Sequence, residues 1–194
     1  ALEKVFLRGW FRSVVDATPR VVWTEVLRSH PAYRIRKFRY EILLGYWIPA
    51  LLYESTRARG PVPVMLHPNG HHAGGKAVDY KQARCANLAR RGILCLNFEF
   101  IGMGELEPDR YHNGQALLNL TGLAGTGPFY LAMKQGLDIL LAHPGADPDR
   151  VGVTGLSGGG WQTIVISALD ERVTLSVPVA GYTAVRARVG CYSD

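Results

Sequence analysis

The sequence predicts a doubly wound α/β fold: a mostly parallel sheet between layers of helices, preceded by an N-terminal helical extension. Two observations predict it. From residue 61 onward, short β-rich runs alternate with amphipathic stretches in the order β-α-β-α-β-α-β, which implies parallel strands covered on both faces. In addition, the stretch GVTGLSGGGWQT, Gly152 to Thr163, sets one serine among glycines just after an apolar run. A serine held on a sharp strand-to-helix turn needs such neighbours, whereas one in an ordinary loop does not.

Taken in order, residues 3–30 read as amphipathic helix, divided into two short helices near Thr18-Pro19. YRIRKFRYEILL and GYWIPALLYES alternate polar and apolar residues around Gly45, the pattern of an antiparallel strand pair. Gly60-Pro61 breaks the chain, and PVPVMLHP reads as a buried strand. NGHHAGG is a loop, and VDYKQARCANLARRG a helix stopped at Gly92. ILCLNFEF is the next strand. Residues 105–127 are polar, glycine-rich and without clear period. FYLAMKQGLDILLAH places Tyr130, Met133, Leu137, Leu140 and Leu141 on one helical face. PGADPDR reads as a turn, VGVTG as a strand, GGWQTIVISALD as a helix and VTLSVPVAG as a strand.

The chain has 194 residues, 47% hydrophobic and 20% charged, enough for one sizeable core. Nothing in it marks an internal repeat or linker, so the expected organisation is an extension over residues 1–30 and one α/β domain over 31–194. No apolar run is long enough to cross a bilayer. The first residues, broken by Arg8 and Arg12, do not form a secretory signal, but the chain starts at Ala1. A leader removed earlier, and hence an extracytoplasmic location, is compatible with that start. Cys85, Cys95 and Cys191 are scattered and odd in number, so no disulfide framework or metal pair follows; the first two are expected as buried fillers. The formal charge of +6 is uneven: residues 1–40 hold nine Lys/Arg against three Asp/Glu. Such a basic segment suits an acidic polymer, an anionic surface or a solvated helix face; no nucleic-acid motif accompanies it, so no nucleic-acid partner is expected.

Gly155-Leu156-Ser157-Gly158-Gly159 fits G-x-S-x-G with a strand leading in and a helix leading out. A serine exposed on such a bend crowds the residues two before and two after it, and only small ones fit. The competing reading is a glycine-rich turn that packs or cradles phosphate. The Gly-Lys-Ser/Thr of a P-loop is absent, and Gly152, Gly155 and Gly158 do not match G-x-G-x-x-G.

VMLHPNGHH places Asn69-Gly70-His71 after an earlier buried strand, and with it the chain resembles the α/β-hydrolase superfamily. GYWIPALLYES and NFEFIGMGE resemble acetyl-xylan-esterase-like and dienelactone-hydrolase-like members, with Glu99 and Glu105 departing from their usual loop. DPDRVGVTGLSGGG is shared with prolyl-oligopeptidase-type peptidases as well. The resemblance implies Ser157 as nucleophile and an oxyanion hole from the backbone N–H groups of His71 and Gly158. It also implies the chain order nucleophile, acid, histidine. The residues after Ser157 contain no histidine, and Asp170, Glu171 and Asp194 are poorly placed as the acid. The triad acid and histidine are therefore expected outside this sequence, together with the C-terminal strands.

His71 or His72 acting as base is a weaker alternative, since no orienting partner is evident. His67, His71 and His72 lack an acidic residue at metal-ligand spacing, so neither metal nor cofactor is expected. His72 and His112 are candidates for the substrate cleft, His112 alternatively for the open surface, with 105–127 as lid or cleft wall. His143 closes a helix C-terminus. The expected function is a serine carboxylic-ester hydrolase, working through an acyl-enzyme on Ser157. The resemblance suggests acylated carbohydrate or another small ester as substrate. A prolyl-oligopeptidase-type peptidase and a non-catalytic binding protein on the same fold are the alternatives.

Overall fold

Alternation along the strands sorts side chains onto the two faces of one sheet, and each face takes its own helices. The computed structural model describes residues 2–109 and 112–181; Cys191 and Asp194 lie outside them. In chain order these form helices α1 (Leu2–Phe6) and α2 (Arg12–Val15), then strands β1 (Arg20–His30), β2 (Tyr33–Leu43), β3 (Tyr46–Ser55) and β4 (Val62–His67). Helix α3 (Asp79–Arg90), β5 (Leu94–Phe98), α4 (Gly127–Leu141), β6 (Ala146–Leu156), α5 (Gly158–Leu169) and β7 (Leu175–Val179) follow.

The strands lie in the order β1-β2-β3-β5-β4-β6-β7. β1, β2, β3 and β5 pair antiparallel, while β5, β4, β6 and β7 run parallel. Even-numbered residues of β2 and β3 (Phe38, Tyr40, Ile42, Ile48, Ala50 and Leu52) join a core that includes Phe129, Met133 and Leu137 of α4. Odd-numbered Tyr33, Ile35, Leu51 and Tyr53 join Cys85, Ala86 and Ala89 of α3 on the other face. The expected fold class is therefore observed. Cys85 and Cys95 are buried, free and held neutral: burial pushes the Cys85 thiol up to about 12.

α3 ends as its glycine predicts. Gly92 sits at φ +83°, and Ile93 N–H donates to Leu88 O at 3.1 Å, closing the helix through a left-handed residue. Pro128 lies in the first turn of α4, just after Gly127, where a missing N–H removes nothing.

Two local expectations are corrected. Residues 3–30 are not one helical extension: only Leu2–Phe6 and Arg12–Val15 are helical, and Arg20–His30 is the edge strand β1, paired with β2. VVWTEV is rich in β-branched and aromatic residues, which fit a half-buried pleated surface better than a helix. PGADPDR is not wholly a turn, because β6 already begins at Ala146. The segment without clear period contains 3-10 turns at Gly104–Asp109 and His112–Thr121.

Candidate active site

β6 ends at Leu156 and α5 begins at Gly158, so Ser157 alone makes the corner. Its backbone adopts φ 58° and ψ −119°, a region that L residues rarely enter, at a strain of about 1–3 kcal/mol. Three contacts hold it there. Ser157 N–H donates to Val179 O at 2.9 Å, and Trp161 N–H donates to Ser157 O at 3.0 Å. Gly181, at φ +84°, closes directly on the Ser157 carbonyl. Ser157 is exposed while Gly155, Gly158, Gly159 and Gly160 are buried. The glycines are required by space: a Cβ on Gly155 would stand 2.5 Å from Gly159 O and 2.6 Å from Pro68 O. Side chains on Gly159 and Gly160 would run into the carbonyls of Pro68 and Ala180.

The loop after β4 lies against this corner. A Cβ on Gly70 would be 2.7 Å from Leu156 O and 2.8 Å from Gly158 N, so glycine permits the approach. His71 follows, and its ring lies against Gly158. Asn69, at the position where the resembled family often has histidine, is buried and anchors the loop. Its amide donates to Asn97 Oδ1 at 2.6 Å and to Phe98 O at 2.5 Å, while its carbonyl accepts from Gln162 Nε2 at 2.6 Å.

Glu99 fastens the other end of the loop. Its carboxylate, 1% exposed, accepts the Lys76 N–H at 2.7 Å and the Lys76 Nζ at 2.8 Å. Lys76 Nζ also meets Glu105, which pairs with Lys37 of β2 at 2.8 Å. Partial burial pushes the Glu105 carboxyl up, but hydrogen bonds from Lys37 and Lys76 outweigh it and hold the group below the usual range. Gly75 and Gly104 flank Glu99 with positive φ, and a side chain on either would overlap its carboxylate. The two glutamates that depart from the resembled loop thus form an ionic clamp between β2, the loop after β4 and the loop after β5.

His112 and His71 come together, with ring Nε2 atoms 2.8 Å apart. Phe100 packs beside both rings. They line a cleft of about 630 Å³ whose wall also includes Gly158, Phe129 and Trp161. Rings of Phe100, Phe129, Trp161 and Phe6 succeed one another at 5.3, 6.0 and 6.2 Å. His112 is therefore on the cleft, whereas His72 is not among its lining residues; the His72 Nδ1 accepts Gly74 N–H at 3.0 Å. No local signal linked His71 to His112, which stand 41 positions apart.

The remaining candidates are elsewhere. His67 is fully buried, and burial drives its pKa well below the ordinary value, leaving a neutral ring. No cluster of three metal-ligating side chains exists among the described residues, and none of their helices is long and apolar enough to cross a membrane. Asp170 caps the far end of α5, about 20 Å along the helix from Ser157, and is tied to Arg172 at 2.6 Å. His143 follows α4 and binds Glu54 at 3.1 Å.

An antiparallel-then-parallel sheet in this order, with a strained serine at a strand–helix corner beneath the neighbouring loop, defines a protein of the α/β-hydrolase superfamily. The chain belongs to the acetyl xylan esterase (AXE1) family, whose profile matches residues 29–190. It is 25% identical over 139 residues to the protein named "Putative hydrolase YtaP" of Bacillus subtilis (strain 168), covering 66% of this chain and 46% of the relative. Its fold is similar to that of Methylesterase BT1017, with TM-score 0.74 and 23% identity over 94% of this chain and 39% of the other. It is also similar to an acetyl xylan esterase from Paenibacillus sp. R4, with TM-score 0.74 and 18% identity over 94% and 61%. At these identities the structural likeness is one of fold. The chain spans roughly 39–61% of the length of these relatives.

Proposed function

We propose that this chain carries the nucleophile and oxyanion hole of a serine carboxylic-ester hydrolase. The observation that carries the reading is the Ser157 backbone: exposed, at positive φ, on the first turn of a helix and beside the His71–Gly158 contact. Family membership supports ester hydrolysis as the chemistry.

In the proposed reaction, Ser157 Oγ attacks the ester carbonyl carbon and its proton passes to a general base. The carbonyl π pair moves to oxygen, where the N–H groups of His71 and Gly158 hold the oxyanion. The C–O bond to the alcohol then breaks, the base returns its proton to the leaving oxygen, and an acyl-serine remains for water to hydrolyse. Gly158 is the first residue of α5, so its N–H has no partner within the helix. The general base and its orienting acid are assigned to chain beyond the described residues, in the order nucleophile, acid, histidine. Acylated carbohydrate is the substrate class we favour, from the family's name and from the succession of rings along the cleft, which offers flat apolar faces to sugar C–H groups.

A fluorophosphonate probe applied to the full-length protein should label Ser157, and Ser157→Ala should abolish labelling. Labelling that persists in the alanine variant overturns the assignment.

A further inference from the structure

We infer that the substrate of this cleft is an acidic saccharide ester, whose carboxylate is received by Lys4 and Arg8 of the segment before β1. The inference rests on the esterase reading above and adds the substrate's charge to it.

Lys4 and Arg8 line the same cleft as His71 and Gly158. Neither is in an ion pair among the described residues, and no carboxylate is among the described residues lining the cleft. The charge that the described residues bring to the opening is therefore positive. A cleft with apolar walls concentrates such a field on whatever enters it.

The segment that carries Arg8 is tied down rather than trailing. Ala124 N–H donates to Arg8 O at 2.8 Å, and Trp10 Nε1 donates to Ala124 O at 3.0 Å. Leu7 is buried in the main core. The Arg8 guanidinium rests on Asn119 Oδ1 at 3.5 Å, a long contact that leaves most of its five donors for a ligand. Arginine at such a site suits a planar carboxylate, which can accept two parallel N–H donors. Phe6, on the same short segment, faces Trp161, so the ring that would carry a sugar and the cations that would read its carboxylate share one support. These residues precede the part of the chain that the family profile matches, residues 29–190.

The test uses the full-length enzyme and compares kcat/KM on an acetylated glucuronate-bearing oligosaccharide with that on an acetylated neutral xylo-oligosaccharide. We expect a preference of about tenfold for the acidic substrate, falling toward unity in the Lys4→Gln/Arg8→Gln double variant and in 0.5 M salt, where exposed charges are screened over about 4 Å. Thermal melting of the double variant checks that it folds. Salt dependence of the wild type provides the same readout without substitution. Equal kcat/KM on both substrates, with brisk hydrolysis of each, overturns the charge inference alone. So does a preference that survives both salt and substitution. Absence of all ester hydrolysis together with absence of fluorophosphonate labelling overturns the esterase reading and this inference with it.

Discussion

Gly155→Ala tests the elbow where sequence and structure agree most closely. The added methyl would stand 2.5 Å from Gly159 O, 2.6 Å from Gly159 C and 2.6 Å from Pro68 O. Ordinary contact begins near 3.4 Å, so the shortfall is about 0.9 Å against backbone on two separate elements. No flexible side chain can turn away to absorb it. Either α5 or the loop after β4 must move, and overpacking of this kind costs about 3 kcal/mol, at the upper end of its range. For a domain of this size that lowers Tm by about 6–12 °C. The displaced loop carries the His71 N–H. On the oxyanion role proposed for that N–H, its displacement should reduce turnover about 10²–10³-fold. The assay pairs differential scanning calorimetry with p-nitrophenyl acetate turnover by the full-length protein. Gly60→Ala is the comparison: Gly60 has φ +77° but nothing within 4 Å of an added Cβ, so it suffers backbone strain without collision. It should lose about 1 kcal/mol from the left-handed backbone alone and keep its turnover. Wild-type melting and turnover in Gly155→Ala would refute the close-packing argument.

Three further outcomes are expected. Glu99→Gln breaks the buried pair with Lys76 and should destabilise the protein by about 3 kcal/mol, with turnover reduced because the loop after β4 loses its anchor; unchanged melting would remove the clamp from the argument. Burial pushes the Glu54 carboxyl up, but hydrogen bonds from His143 and Arg34 and the charge of Arg36 outweigh it and hold it at about 2, below the 4.5 of an unperturbed glutamate. Because the folded state binds this proton less readily, the stabilisation is present above pH 4.5 and is lost as pH falls toward 2; denaturation midpoints should show a Glu54→Gln variant with a flatter slope across that window. Trp10→Ala removes the ring packed on Gly127 and the bond to Ala124 O, and should raise KM for polymeric substrate more than for p-nitrophenyl acetate, since the segment before β1 would leave the cleft wall.

The sheet was legible where its residues face two different environments. β2 and β3 alternate because each face meets its own core, and α4 shows one apolar stripe because only one side touches the sheet. β1 reads as a helix for the opposite reason. It is an edge strand whose Val22, Trp23, Val26 and Leu27 remain 38–56% exposed, so burial imposes no strict period of two. Apolar residues at 21, 22, 26 and 27 then fit a helical stripe as well as a strand. Within the site, Ser157 is legible because the bend selects for glycines around it, while Gly70 and the donor role of Gly158 are legible only through resemblance to a family loop pattern. The pairing of His71 with His112, and the clamp of Lys76 with Glu99 and Glu105, left no local mark. Their partners meet only after α3 and β5 bring distant loops together. The glycines at 75 and 104 were the available trace of that clamp, visible only once Glu99 is known to sit between them.

Strain at one residue persists only when its surroundings over-determine it. Ser157 is fixed from three directions: β7 accepts its N–H, α5 bonds its carbonyl, and Gly181 closes on that carbonyl. The loop after β4 adds a fourth constraint, because Gly70 approaches Gly158 N and the Pro68 carbonyl fills the space a side chain at 155 or 159 would need. These same contacts that force the positive φ bring His71 beside Gly158. The strain and the placement of the proposed donors consequently share one geometric cause. A substitution that relaxes the corner should move the donors apart as it does so, and stability gained at Ser157 should appear as activity lost. Ser157→Gly offers the thermodynamic half of that comparison: removing the side chain removes the positive-φ penalty, and the variant should melt higher than Ser157→Ala even though both lack the hydroxyl.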